Sequence, residues 1–121
     1  MAPTLTASVI TILSKSEQPS AVTIEHCAKG LALSMTSFRR KLAHEHTSFK
    51  LIQQKYLNEL CINALLTQSL RVDDLAFQLG YSERATFERA FKNKYGTTPA
   101  SFKELSIGIE PNSEEQTIAK I

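Results

Sequence analysis

Apolar residues return every three or four positions along most of the chain, the spacing of one face of an α-helix, so the pattern predicts helices throughout. Residues 4–14 read as a weakly amphipathic helix, and residues 16–21, with Pro19 inside, as a loop. Thr23 opens a second helix, with Glu25 and His26 in its first turn and Cys27, Ala28 and Leu31 on its apolar side. The segment LALS reads as a turn. Ser34 is placed to cap the next helix, because its hydroxyl can accept from an orphan N–H of the first turn. In SMTSFRRKLAHE, Phe38 and Leu42 are four apart with Met35 alongside, so this face packs inward and Thr36, Arg39 and Arg40 fall opposite.

Thr47 or Ser48 heads a long helix, TSFKLIQQKYLNELCINALLTQ, whose inward positions read as Phe49, Ile52, Tyr56, Leu60 and Leu66. No Gly or Pro interrupts it, and roughly twenty residues at 1.5 Å each span ~30 Å. Val72 leads into a short helix with Asp73 and Asp74 in the first turn, where the helix dipole favours negative charge. Leu75, Ala76 and Leu79 form its apolar side, and Gly80 ends it as a residue at positive φ. Ser82 then caps SERATFERAFKNKYG. There Phe87, Ala90 and Phe91 point inward, Ala85, Glu88, Arg89 and Lys92 point outward, and Arg84 and Thr86 flank them. Gly96 stops this helix, and Pro99 suits the first turn of a last one, PASFKEL.

HCAKGLALSMTSFRRKL and DLAFQLGYSERATFERAF are approximate repeats. Ala28 matches Ala76, Leu31 matches Leu79, Ala32 matches Gly80 and Ser34 matches Ser82. After a slip of one residue, Phe38 matches Phe87 and Arg40 matches Arg89. A short helix, a tight turn and a capped second helix make a helix-turn-helix, here present twice.

Composition narrows the picture. The chain has 121 residues, 42% of them apolar, enough for one small domain or two very small ones and too many for a disordered chain. Four Gly and four Pro are too few for a turn-rich all-β domain. The apolar runs are a few residues long, so no membrane-spanning helix is expected, and the N-terminus lacks the basic start of a signal peptide. Cys27 and Cys61 then read as reduced core thiols of a cytoplasmic protein. Net charge is only +2, but acidic residues crowd the last 17 positions, and the remainder carries 13 basic against 9 acidic residues. Arg39, Arg40, Lys41, Lys50 and Lys55 form one basic group, and Arg84, Arg89, Lys92, Lys94 and Lys103 a second. Two such groups suit two contacts with a polyanion, or simply a solvated helix surface.

The segment VDDLAFQLGYSERATFERAFKNKYGTTPASFK resembles the C-terminal signature of the AraC/XylS family of bacterial transcription regulators. The matching elements are Leu75-Ala76, Leu79-Gly80-Tyr81-Ser82, the run from Phe87 to Lys92, Tyr95-Gly96, and Pro99 with Phe102. ALSMTSFRRKL and TSFKLIQQKYLNELCINALL are similar to the family's first helix-turn-helix and linker helix, so the resemblance covers roughly residues 5–105. It departs at Ala32 and His46, where the family usually has Gly, and the first turn is therefore expected to be set slightly differently. No sensor domain precedes these motifs, which suits a short two-motif member or an excised DNA-binding half.

The resemblance implies an all-α fold of about seven helices, with two helix-turn-helix subdomains joined by a long linker helix. Residues 1–46 would form the first subdomain, 47–70 the linker, 71–105 the second subdomain and 106–121 a flexible polar tail. It implies double-stranded DNA as partner, with RNA polymerase contact alongside. The physical case stands beside it: recognition helices about 34 Å apart enter successive major grooves on one DNA face, and a ~30 Å linker is the right scale. Bidentate Arg to guanine is the commonest base contact, which makes Arg39 or Arg40 and Arg84 or Arg89 the candidate readers. Thr36, Ser37 and Thr86 are placed for phosphate or the thymine methyl, and Lys50, Lys92 and Lys94 for sequence-independent attraction. Glu83 and Glu88 pair with Arg84 and Arg89, accept from cytosine, or weaken binding. His44 and His46 do not share a helix face, so no metal site is read there, even with His26 and Cys27. No HExxH, CxxC, Gly-rich phosphate loop or Ser/His/Asp order is present, so neither an enzyme nor a cofactor or small-molecule site is expected. The alternative is a helical interaction module whose basic face meets an acidic protein such as RNA polymerase.

Overall fold

Residues 4–107 are described by a computed structural model, and they fold into seven α-helices and one 3-10 turn without a strand. In order these are α1 (Leu5–Ser14), the 3-10 turn Pro19–Ala21, α2 (Ile24–Gly30), α3 (Met35–His44), α4 (Phe49–Thr67), α5 (Val72–Gln78), α6 (Arg84–Tyr95) and α7 (Pro99–Ile107). The all-α expectation holds, and the loop read over 16–21 contains the 3-10 turn. The polar tail expected at the C-terminus lies, beyond residue 107, outside the described residues.

Local chemistry sets most boundaries. The hydroxyls of Thr4, Thr23, Ser34 and Ser48 accept from the backbone N–H groups of Ala7, His26, Ser37 and Leu51, so each of the first four helices is capped by a side chain. Ser82 does not cap: α6 starts at Arg84, with Glu83 in the cap position and no side-chain capping bond. The second turn is longer by one residue. After α2, Leu33 N–H reaches Ala28 C=O at 2.9 Å and Ser34 caps at once; after α5, Tyr81 N–H reaches Ala76 C=O at 2.9 Å, but Ser82 and Glu83 both precede the next helix. This extra residue is the slip in the sequence repeat. Counted from the caps, Phe38 and Phe87 are equivalent, and so are Arg40 and Arg89.

Ala32 and His46 adopt φ of 56° and 62°, the left-handed region that Gly80 occupies at 95°. The first turn is thus built like the second despite lacking Gly. The two motifs differ in the length of the approach to the helix, not in the αL residue. A side chain at such a position costs roughly 1–2 kcal/mol.

Two apolar clusters share α4. Val9, Leu13, Cys27, Phe38, Leu42 and Ile52 form the first, and Cys61, Leu65, Leu75, Phe87 and Phe91 the second. The helix therefore supplies its first half to one motif and its second half to the other. Leu66, read as inward, is 48% exposed, whereas Cys61, Ala64 and Leu65 are buried. The reason is angular: at 3.6 residues per turn, Ala64 and Leu65 lie within about 60° of Cys61 around the helix, while Leu66 lies about 140° away. Cys27 and Cys61 are free and buried in separate clusters. Burial raises both thiols, Cys61 to about 11.

Glu45, just past the end of α3, ties α1 to the first motif. Its carboxylate accepts from Leu5 N–H at 2.8 Å, Thr6 N–H at 2.9 Å and the Thr6 hydroxyl at 2.6 Å, so it satisfies orphan donors at the positive end of α1. The Thr6 hydroxyl bond, followed by the two N–H bonds, holds this carboxyl below the ordinary carboxylate range. A lowered folded-state value means the stabilisation is complete at neutral pH and is lost as pH falls through that value. Glu45→Gln should lower the thermal midpoint at neutral pH. The gap to the wild type should close in acid, once the wild-type carboxyl is protonated. Thermal melts across an acid series check this, and a gap independent of pH would mean that the charge is not what matters.

Candidate nucleic-acid interface

The second helix of each motif buries one face and offers the other to solvent. On α3, Phe38 and Leu42 are buried while Thr36, Arg39, Arg40 and Lys41 are exposed. On α6, Phe87 and Phe91 are buried while Arg84, Thr86, Arg89 and Lys92 are exposed. The eight residues singled out from the sequence thus fall on the outer sides of these two helices. The exception in degree is Ser37, which is half-buried and whose N–H is taken by the Ser34 hydroxyl.

Ion pairing separates the arginines. Arg84 lies 3.7 Å from Asp73 on α5 and 3.5 Å from Glu88 one turn further along α6. Glu88 is therefore partly neutralised from within the motif, and Arg84 is partly committed. Arg39, Arg40, Arg89 and Lys92 have no ion pair or side-chain hydrogen bond among the described residues, so their charges stay available. Exposed pairs are worth little, about 0–1 kcal/mol, so Arg84 is biased rather than locked.

Lys94 is placed differently from its sequence reading as a phosphate contact. Its Nζ donates to Asn58 Oδ1 on α4 at 2.7 Å and lies 5.4 Å from the Tyr95 ring centroid. It ties α6 to the linker helix. No local pattern signals this, because Lys94 and Asn58 are far apart in sequence. Lys50 is exposed on the first turn of α4, beside the first motif.

The motifs stand on a 19-residue α4, whose length at 1.5 Å per residue is ~28 Å, close to one turn of DNA. The arrangement therefore offers two outward helices, each with an unpaired arginine at the same offset from its cap. Among the described residues, no three His, Cys, Asp or Glu side chains gather to hold a metal, and no helix is long and apolar enough to cross a membrane.

Comparison with known proteins bears on this surface. A family model described as a helix-turn-helix domain matches residues 27–104. The chain is 37% identical over 87 residues to the HTH-type transcriptional regulator VqsM of Pseudomonas aeruginosa, covering 72% of this chain and 26% of that protein. It is 25% identical over 92 residues to the HTH-type transcriptional regulator GadX of Escherichia coli O157:H7, covering 76% of this chain and 34% of that protein. The chain thus spans between a quarter and about a third of these relatives. A solved DNA-binding transcriptional dual regulator from Escherichia coli K-12 shares the fold, with a TM-score of 0.72 and 22% identity over 90% of this chain and 97% of that one. The C-terminal domain of AraT, a response regulator from Geobacillus stearothermophilus, superposes with a TM-score of 0.63 at 26% identity, over 86% of each chain.

Proposed function

Because the chain belongs to the AraC-type helix-turn-helix family of transcription regulators, we propose that it binds double-stranded DNA sequence-specifically, with α3 and α6 in adjacent major grooves. The observation that carries this is the duplication itself. Two recognition helices present Arg40 and Arg89 at one offset from their caps, exposed and unpaired, at opposite halves of one uninterrupted helix. Arg40 and Arg89 are the first candidates for base reading, with Arg39 and the ion-paired Arg84 as the alternatives in their halves; Thr36, Ser37 and Thr86 support them, and Lys92 and Lys50 contact phosphate. A monomer then reads two groove segments, where a single helix-turn-helix must dimerise. Such a regulator acts on bacterial DNA in the cytoplasm. Contact with RNA polymerase rests on the family resemblance. The alternative of an interaction module without specific DNA reading finds no support in the relatives, which are transcription regulators.

Selection from a random duplex pool tests the reading. It should converge on a site protected over roughly two helical turns on one face. Equal affinity for unrelated duplexes at physiological salt would overturn it.

A further inference from the structure

The two motifs are joined by more than α4. The segment 18–22, between α1 and α2, belongs to the first half of the chain but touches the turn of the second motif. Gln18 Nε2 donates to the Phe77 carbonyl at 2.9 Å, across 59 positions of sequence. Phe77 lies at the end of α5, and its carbonyl already accepts from Gly80 N–H at 3.0 Å within the turn, so Gln18 adds a second donor that ties the turn to the first half of the chain. Ser20 presses on Gly80: a Cβ added there would lie 2.9 Å from Ser20 Oγ and 3.2 Å from Ser20 Cβ. The segment is itself pinned to the linker, since Gln53 Nε2 on α4 donates to the carbonyls of Pro19 and Val22 at 3.0 Å each.

This contact explains an asymmetry between the turns. Ala32 and Gly80 hold equivalent turn positions, at φ 56° and 95°, yet the second carries Gly. Ala32 is exposed, whereas a methyl on Gly80 would press on Ser20 unless that side chain shifted, and the larger φ there disfavours a side chain as well. Ser20 Oγ is moreover buried without a hydrogen-bond partner, a cost accepted at the point of closest approach.

We propose that segment 18–22 is a strut that locks the second helix-turn-helix against the first, so that α3 and α6 are presented at one fixed spacing and phase. Gln18 is its positioning residue: it touches no DNA but decides which separation of half-sites is read. The consequence for DNA rests on the duplex-reading function proposed above. The strut itself does not.

The test removes the cross-link and leaves both cores intact. Gln18→Ala deletes the donor, and Gln18→Glu keeps the shape but turns an acceptor toward the Phe77 carbonyl. Spin labels on Lys41→Cys and Asn93→Cys, exposed on α3 and α6, report the distance between the motifs, while the native thiols are buried. The wild type should give one narrow distance distribution, and both Gln18 variants should broaden it with unchanged helical content. On the selected site, preference over duplexes with one base pair inserted or removed between half-sites should fall about fivefold, as loss of one net hydrogen bond implies. Affinity for each isolated half-site should not change. A distribution as narrow as the wild type's, or undiminished spacing preference, overturns the strut. A wild type that prefers no duplex overturns the DNA reading instead, and the distance distribution then decides the strut alone.

Discussion

Phe91→Ala should destabilise the second motif by about 3–5 kcal/mol, the usual cost of truncating a buried Phe. Phe91 is the hub of an aromatic cluster. Its ring centroid lies 5.9 Å from Phe87, 5.7 Å from Phe102 and 4.6 Å from Tyr95, with edge-to-face geometry toward the first two. It thereby joins α6 to α7, and it packs with Leu75 of α5 and Leu65 of α4 in one cluster. Its removal opens a cavity bordered by four helices, none of which can close it alone. Small domains hold only about 5–15 kcal/mol in total, so a loss of this size is expected to unfold the second motif while the first cluster persists. Melts and urea titrations followed by circular dichroism measure it. A biphasic transition with an early second-motif phase is the expected result, and an unchanged melt would mean that the ring is not integral to the core. Phe87→Ala should act in the same direction.

Arg89→Ala and Arg40→Ala should each weaken binding to the selected duplex by about 1–3 kcal/mol, and each should relax specificity only in its own half of the site. Both arginines are exposed without a partner, so neither surrenders a protein contact on meeting a base. Arg84→Ala should cost less, because Arg84 gives up Asp73 and Glu88 to reach DNA. Lys92→Ala should weaken all sequences alike and reduce the salt slope by about one. Affinities for the selected duplex and its single-base variants separate these roles. If Arg89→Ala weakens every variant equally, Arg89 is a backbone contact and Arg84 becomes the reader of the second half.

Much of this protein was legible without coordinates, for a definite reason. Helix starts depend on short-range chemistry, so Thr23 and Ser34 announced their helices, and the pair Thr47 and Ser48 announced the long one, which Ser48 caps. The three-and-four spacing of Phe38 with Leu42, and of Phe87 with Phe91, gave the inward faces and hence the outward arginines. The duplication was visible because each motif is specified locally by a few residues around one turn. Where two local signals competed, sequence misled. Ser82 matched Ser34 in the repeat but sits one residue too early to cap, and Leu66 matched in hydrophobicity but not in helical angle. What the tertiary structure alone decided are the contacts between distant segments: Glu45 on the start of α1, Lys94 on Asn58, Gln18 on Phe77 and Ser20 on Gly80. These arise from how helices pack around α4. A polar side chain carries no mark in sequence of the distant backbone group it will meet. The sequence thus determined two outward, arginine-bearing helix faces, and only the packing decided how one is held against the other.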